Sequence, residues 1–186
     1  MKPSPEAQLA SRRAFSGLVV SVDVDTVRAP DQSTIELEII RHPGAAAVVP
    51  ILGDPAAESD PLVLMLRQYR YAASGTLWEI PAGVLQPGEE PLACARRELE
   101  EETGARAERI EHLTTVFTTP GFTDERIHLF WATGITAGEA RHEPDEFIEL
   151  RTEKLSSVLE MIRTGEIADA KSIVALLYVA GFRLNR

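Results

Sequence analysis

Hydrophobic and polar positions along the chain predict many short strands and a few helices. Residues 34–40 alternate apolar and acidic side chains, which is typical of a strand with one buried face. Other apolar or alternating stretches bounded by turn residues predict strands at 18–24, 45–52, 62–68, 76–80, 110–117, 127–132 and 147–152. Helices are predicted at 155–164 and 170–182, with Gly165 between them.

The order of these elements predicts the fold class. Strands flank one central helix and further helices follow, so we expect an α/β fold with a mixed sheet between helices. The chain has 186 residues and 44% hydrophobic content, enough for one full core. Residues 1–13 are polar without periodicity and are predicted to be flexible, which leaves one domain at 14–186 with an N-terminal strand region at 14–44.

The central helix is predicted to begin at Pro91 and to end at Gly104. Proline suits the first helical turn, and glycine tolerates the left-handed conformation that closes many helices. A rotation of about 100° per residue divides this helix into two faces. The apolar face contains Leu92, Ala95 and Leu99, and the acidic face contains Glu98, Glu101 and Glu102.

The acidic face of this helix calls for a cation. Its glutamates occupy the last turns, where the helix dipole disfavours negative charge, and Glu98 and Glu102 repel each other as an i,i+4 pair. A solvated surface is the usual meaning of a charge run. Carboxylates are also the hard oxygen ligands that Mg²⁺ or Mn²⁺ prefers, so we expect a divalent cation here.

The spacing around the helix resembles the Nudix box, the signature of hydrolases of nucleoside diphosphates linked to another moiety. Gly83 is followed after five residues by Glu89, and after seven more by RELEEETG at 97–104. Ala105 departs from the pattern, because the family usually has a larger aliphatic residue there. The resemblance implies an α/β/α sandwich with a Mg²⁺ site, for which Mn²⁺ could substitute.

The same resemblance implies roles for individual residues. Glu98 and Glu102 would coordinate the metal together with the carbonyl of Ala82, Glu101 would assist, and Arg97 would anchor the glutamates by ion pairing. The proton of the attacking water would pass to Glu101, Glu102 or an acidic residue of the loop RHEPDEFIE at 141–149. In that loop we favour Glu146 over Glu143 and Asp145, although a solvated acidic loop is the alternative.

A second resemblance concerns the substrate. PGFTDE at 120–125 reads by itself as a turn, yet together with RQYR at 67–70 and WEIPAG at 78–83 it is similar to the ADP-ribose pyrophosphatase branch. This implies Mg²⁺-dependent hydrolysis of ADP-ribose to AMP and ribose 5-phosphate. Arg70 would contact the diphosphate, and Gly121 and Glu125 would lie near the terminal ribose or the diphosphate. The alternatives are another nucleoside diphosphate sugar such as GDP-mannose, or a silent module that senses ADP-ribose.

Charge limits the partners of the chain. A net charge of −10 argues against nucleic acid and acidic membranes, which require basic surfaces, and favours a small anionic substrate held by metal and a few arginines. Arg67, Arg70 and Arg126 are the candidates. For Arg67 and Arg70, the alternative is that they are surface charges beside a strand. The nearby aromatic residues, Tyr69, Tyr71 and Trp78, are predicted to belong to the core.

The remaining features predict a cytoplasmic enzyme. Cys94 is the single cysteine, so no internal disulfide can form, and we expect it to be a packed side chain. The apolar run at 173–182 is too short to span a membrane, and the N-terminus lacks a signal-peptide pattern. The ADP-ribose pyrophosphatase resemblance implies a homodimer formed through the N-terminal strands, with a monomer as the alternative.

Overall fold

The computed structural model describes residues 7–18, 20–141 and 147–184. The strands are β1 (Gln8–Ser16), β2 (Ser21–Arg28), β3 (Thr34–Arg41), β4 (Ala45–Leu52), β5 (Leu62–Arg70), β6 (Gly75–Glu79), β7 (Ala82–Val84), β8 (Arg106–Phe117), β9 (Arg126–Thr136) and β10 (Ile148–Lys154). The helices are α1 (Pro91–Thr103), α2 (Leu155–Thr164) and α3 (Ala170–Tyr178). The chain divides into two compact units, the smaller at Met1–Gly44 with Phe117–Arg126, the larger at Ala45–Val116 with Ile127–Arg186.

The smaller unit contains a three-stranded antiparallel sheet in the order β1-β2-β3. The prediction that residues 1–13 are flexible was wrong from Gln8 onward, because β1 pairs with β2 along most of its length. Every residue of β1 is exposed, so the strand carries no alternation of buried and exposed positions. Main-chain pairing and polar contacts such as the Arg13–Asp23 ion pair hold it in place.

The larger unit contains a mixed seven-stranded sheet. Its strands follow the order β10-β5-β4-β9-β8, with β6 paired to β5 and β7 paired to β4. β4 and β9 are parallel, whereas β4–β5, β4–β7, β5–β6 and β5–β10 are antiparallel. β7 is a three-residue strand that the hydrophobic pattern did not predict, because it is too short to show a period.

The core of the larger unit lies on both faces of its sheet. Alternate residues of β4 contribute to two clusters: Ala47, Val49 and Ile51 pack with buried residues of α2 and α3, whereas Ala46 and Val48 pack with buried residues of α1. A strand buried on both faces reads as a continuous apolar run, as AAAVVPIL does. The predicted α/β/α sandwich with a mixed sheet is therefore confirmed.

The predicted bounds of α1 and α2 agree with the structure, while α3 ends at Tyr178 and continues as a π-helical turn at Val179–Arg183. The predicted apolar face of α1 was partly wrong. Leu92 is 44% exposed, and Cys94 lies in the core with Ala95 and Leu99. Tyr69 and Tyr71 are also exposed rather than in the core. Within the described ranges, no helix is long and apolar enough to cross a membrane.

Two leucines on α1 give a direct test of this packing. Leu99→Ala should lower the free energy of unfolding by about 2–5 kcal/mol, because Leu99 is fully buried and its loss leaves a cavity. Leu92→Ala, the matched control on the same helix, should change it by less than about 1 kcal/mol. Urea denaturation measures both. Equal losses for the two variants would contradict the observed orientation of α1.

Candidate active site

Helix α1 begins with Pro91 in its first turn and is closed by Gly104, whose φ of 71° is left-handed. A Cβ at Gly104 would also lie 2.4 Å from the main-chain carbon of Glu139, so the segment after β9 approaches the helix end closely. The main-chain N–H of Arg141 donates to the carbonyl oxygen of Glu101 at 2.7 Å. Only glycine fits this position without displacing that segment.

Arg97 connects the carboxylates of α1 with the loop that precedes it. Its Nε and Nη2 each donate to an oxygen of Glu89 at 2.9 Å. Its Nη1 donates to Glu98 Oε1 at 2.5 Å and to Glu101 Oε2 at 2.9 Å. The guanidinium thereby places positive charge beside Glu98 and Glu101 on the acidic face.

The pKa values follow from these contacts. The paired guanidinium of Arg97 lowers the pKa of Glu89 to about 2. The pKa of Arg97 itself is raised, chiefly by its hydrogen bonds to Glu89. Both groups therefore stay charged at neutral pH, and the bidentate pair fixes the guanidinium plane.

Glu98 and Glu102 lie against the main chain of Ala82 and Gly83. Both carboxylates belong to nearly buried residues, 8% and 2% exposed. Glu102 Oε2 accepts a hydrogen bond from the N–H of Ala82 at 2.9 Å. A Cβ added to Gly83 would lie 1.8 Å from Glu98 Oε1, so the Glu98 carboxylate fills the space that any side chain at position 83 would need.

This arrangement fits a divalent cation. Two buried carboxylates lie beside a main-chain segment, and carboxylate and carbonyl oxygens are the hard donors that Mg²⁺ or Mn²⁺ prefers. Across residues 7–18, 20–141 and 147–184, no group of three or more His, Cys, Asp and Glu side chains has metal-holding geometry. Glu98, Glu102 and the carbonyl of Ala82 therefore stay a predicted ligand set, as the Nudix resemblance implies.

Cys94 lies beside this centre but has no nucleophilic character. Its Sγ is 3.5 Å from the carbonyl oxygen of Gly83 and 3.7 Å from that of Val84. Burial raises the pKa of the thiol to about 12, so it is protonated at neutral pH. The expectation of a packed side chain is confirmed.

Arg70 lies an even number of positions from Leu64 on β5, and Leu64 packs with the buried residues of α1. Strand alternation therefore places Arg70 on the α1 face of β5. Its Nε and Nη2 donate to the two oxygens of Glu79, both at 2.9 Å, and Lys171 Nζ approaches the same carboxylate at 2.5 Å. Burial alone would raise the pKa of Glu79, but Arg70 and Lys171 outweigh it and hold that pKa below its ordinary value. Arg70 keeps 42% of its side chain exposed, so it can still reach a ligand.

The structure does not bring Arg67 together with Arg70. Side chains three positions apart on a strand lie on opposite faces. Arg67 stacks over Trp78, 5.5 Å from the ring centroid, and its Nη1 is 3.5 Å from Glu149 Oε2. These contacts match the surface-charge alternative, and a substrate role for Arg67 remains a prediction.

A cleft of about 990 Å³ lies beside α1. It is lined by one face of that helix and by the segment after β9, including Arg97, Glu101, Arg106, Gly138 and Arg141. Glu101 therefore borders a space that is large enough for a small ligand. Glu98 and Glu102 do not line it.

The other predicted site residues lie in the smaller unit or outside the described ranges. Glu125 Oε2 accepts from Thr118 Oγ1 at 2.8 Å, and its Oε1 is 3.5 Å from His42 Nδ1. A Cβ at Gly121 would meet no atom within 4 Å, and the Arg126 guanidinium lies 4.9 Å from the Phe117 ring centroid. The predicted base Glu146 and its neighbours Glu143 and Asp145 lie outside the described residues.

Sequence reasoning missed the residues that support the site from α3. The side chain of Lys171 reaches Glu79, and that of Ser172 reaches the main chain at Ile80. Asp169 accepts hydrogen bonds from both of these residues. Nothing in a single sequence connects positions about 90 residues apart. The Asp-x-x-Ser spacing at 169–172 does indicate a helix cap, which is the one available signal.

Several known proteins are similar to this chain over most of its length. A 38% identical relative, "ADP-ribose pyrophosphatase" of Bacillus subtilis (strain 168), covers 96% of this chain and 95% of its own. "Methanol dehydrogenase activator" of Bacillus methanolicus is 40% identical and covers 94% of this chain and 92% of its own. A solved structure titled "Crystal structure of ADP compounds hydrolase" has a TM-score of 0.78 at 16% identity, over 98% of this chain and 96% of its own, which supports the fold.

A more distant group of relatives is named for a different substrate. "GDP-mannose pyrophosphatase" of Escherichia coli O1:K1 / APEC is 36% identical, over 63% of this chain and 65% of its own. The profile of the family described as NUDIX domain matches residues 41–176, which include α1, its preceding loop and every strand of the larger unit. The chain therefore belongs to the Nudix family.

Proposed function

We propose that this protein hydrolyses the diphosphate of ADP-ribose, releasing AMP and ribose 5-phosphate, with Mg²⁺ as the metal. The observation that carries the proposal is the contact of two buried glutamates, Glu98 and Glu102, with the main chain at Ala82–Gly83. The 38% identical relative that is named for ADP-ribose and matches 96% of this chain supports the substrate. Nudix hydrolases generally use divalent metal ions, so family membership supports a divalent cation. The choice of Mg²⁺ rests on the oxygen ligands, which this ion prefers.

Each residue of the site has a part in this reaction. When bound, Mg²⁺ would neutralise the diphosphate and make a water molecule more acidic. Glu98, Glu102 and the carbonyl of Ala82 would hold it, while Arg97 keeps the glutamate side chains in place. Water attacks one phosphorus, the bridging P–O bond breaks, and the departing phosphate takes the electron pair of that bond. Glu146, Glu101 or Glu102 accepts the proton of the water.

Arg70 is the candidate contact for the diphosphate in this scheme. Its guanidinium is held by Glu79 and lies on the α1 face of β5, and it interacts electrostatically with Glu102. A charged group fixed before the substrate arrives loses little conformational entropy on binding. Gly121 and Glu125 remain the proposed contacts near the terminal ribose.

Two other functions have specific support. GDP-mannose hydrolysis would use the same metal centre, but the relatives named for it match only 63% of this chain. The relative named as an activator matches nearly the whole chain, so a role in activating a dehydrogenase is a second candidate. The test measures methanol dehydrogenase activity after the purified protein is added. Comparing conditions in which ADP-ribose hydrolysis is active or blocked separates activation from hydrolysis.

A panel of substrates tests the proposed specificity. With Mg²⁺, kcat/KM for ADP-ribose should exceed the values for GDP-mannose, NADH and nucleoside triphosphates by at least about tenfold, a difference of about 1.4 kcal/mol in transition-state binding. Phosphate released after phosphatase treatment gives the rates. A tenfold preference for GDP-mannose or for a triphosphate would refute the ADP-ribose assignment while leaving the Nudix family intact.

Substitution of the glutamates on α1 tests the metal centre. Glu98→Gln and Glu102→Gln should each lower kcat by more than the roughly 10–100-fold typical of groups outside the metal shell, because an amide is a weak ligand for a hard cation. Both should fold and be as stable as the parent or slightly more so, since one repelling charge is removed. Glu100→Gln is the matched control, because Glu100 pairs with Arg106 and should keep near-parental activity.

The loop glutamate is tested in the same series. Glu146→Gln should lower kcat by roughly 10²–10⁴-fold with little change in KM, because a general base acts in the transition state. Glu143→Gln and Asp145→Asn should have smaller effects. Equal, mild losses in all three variants would assign the base to the glutamates of α1 instead.

The metal-free melting temperature gives a separate test of the α1 glutamates. A large fall in that temperature for Glu98→Gln would show that those glutamates are structural.

We also propose that the protein is a homodimer in which the N-terminal strands pack on the partner and help to form its substrate pocket. Strands β1 and β3 expose the apolar side chains of Leu9, Phe15, Ile35 and Leu37, which association would cover in part. Light scattering should give twice the chain mass of 20.4 kDa. Ile35→Ser combined with Leu37→Ser should give a monomer with weaker ADP-ribose binding. Leu177→Ser, at an exposed position of α3, should remain a dimer with parental binding. A fully active monomeric parent would refute this arrangement.

A further inference from the structure

The beginning of α3 contacts the strand end that leads into the candidate metal centre. Asp169 caps the helix: its Oδ2 accepts hydrogen bonds from the N–H of Ser172 at 3.0 Å and from Ser172 Oγ at 2.5 Å. Ser172 Oγ in turn accepts the main-chain N–H of Ile80 at 2.9 Å. Because Ser172 is fully buried, no solvent can replace this bond if the hydroxyl is removed.

Lys171 adds a second connection between the same two segments. Its Nζ lies 2.5 Å from Glu79 Oε2 and 3.0 Å from Asp169 Oδ2. Glu79 is 2% exposed and also receives the bidentate bonds of Arg70. A buried carboxylate held by two cations is costly to disturb, so it fixes the end of β6 and the guanidinium of Arg70 together.

Every residue from Glu79 to Ala82 is held by a hydrogen bond. The α3 cap holds the side chain of Glu79 and the N–H of Ile80. The carbonyl oxygen of Pro81 accepts the N–H of Val48 at 2.9 Å, and the N–H of Ala82 donates to Glu102. Two of these four positions therefore depend on residues of α3, far from the Nudix helix in sequence.

We propose that Asp169, Lys171 and Ser172 are positioning residues of the metal centre. Through Ile80 they set the main chain that carries the Ala82 carbonyl, and through Glu79 they set Arg70. This inference rests on the proposed function for the identity of the site. It adds that residues of α3 influence metal affinity and diphosphate binding although they contact neither the metal ion nor the diphosphate. The Asp169–Ser172 pair thus caps α3 and also positions the main chain at Ile80.

The test uses Mn²⁺ binding to the full chain without substrate. Ser172→Ala should weaken Mn²⁺ affinity, read from the electron paramagnetic resonance signal of free Mn²⁺, by at least about tenfold. Hydrogen exchange in the peptide containing Ile80 should become faster. Ser156→Ala is the matched control, because Ser156 makes the same pair with Asp60 at the start of α2, at 3.0 and 2.8 Å, and should leave both readouts unchanged.

Lys171 gives an independent arm in case Ser172→Ala does not fold. Lys171→Met should raise KM for ADP-ribose more than it lowers kcat. Lys171→Arg should keep the parental KM, because arginine can still bind Glu79. A folded Ser172→Ala with parental Mn²⁺ affinity, or a Lys171→Met with parental KM and parental Mn²⁺ affinity, would overturn the proposal. Failure of the parental protein to bind Mn²⁺ would instead refute the metal centre and the proposed function with it.

Discussion

The ion pairs of Arg97 are the interaction on which the site depends. Glu98, Glu100, Glu101 and Glu102 stand in the last turns of α1, where the helix dipole and mutual repulsion both oppose them. Arg97 contacts Glu98 and Glu101 and is itself fixed by Glu89 from the preceding loop. One guanidinium thus joins the loop and the helix of the Nudix box.

The strand end opposite α1 provides the other half of the site. Gly83 lets the carboxylate of Glu98 approach the main chain more closely than any side chain would allow, and Glu102 accepts the N–H of Ala82. The segment that contains these residues is held by Val48 of β4 and by the cap of α3. A metal centre at this strand end would require rigid support on each side, because a loosely held carbonyl binds a cation weakly.

Local patterns predicted much of this structure. The start and end of α1, the strand β4 and the helix α2 follow from proline, glycine and hydrophobic periodicity, which act within a few residues. β1 could not be predicted in this way, because it is exposed throughout and gains its order by pairing with β2. The exposure of Leu92 and the burial of Cys94 depend on how α1 is rotated against the sheet, which only the tertiary packing determines.

The same division applies to the site. Glu98, Glu102 and Arg97 were predicted because a long motif places them on one helix. The Glu79–Lys171 pair joins residues 92 positions apart, and no local signal predicts such a contact. Arg67 and Arg70 look equivalent in RQYR, yet the alternation of strand side chains separates them onto opposite faces.

The central claim is that Glu98, Glu102 and the carbonyl of Ala82 form one divalent metal centre. Anomalous diffraction from a crystal soaked in Mn²⁺ tests it most directly. The account predicts a strong peak bonded to all three groups, with metal–oxygen distances of about 2.0–2.2 Å. A peak bound elsewhere, or one that touches neither Glu98 nor Glu102, would contradict it.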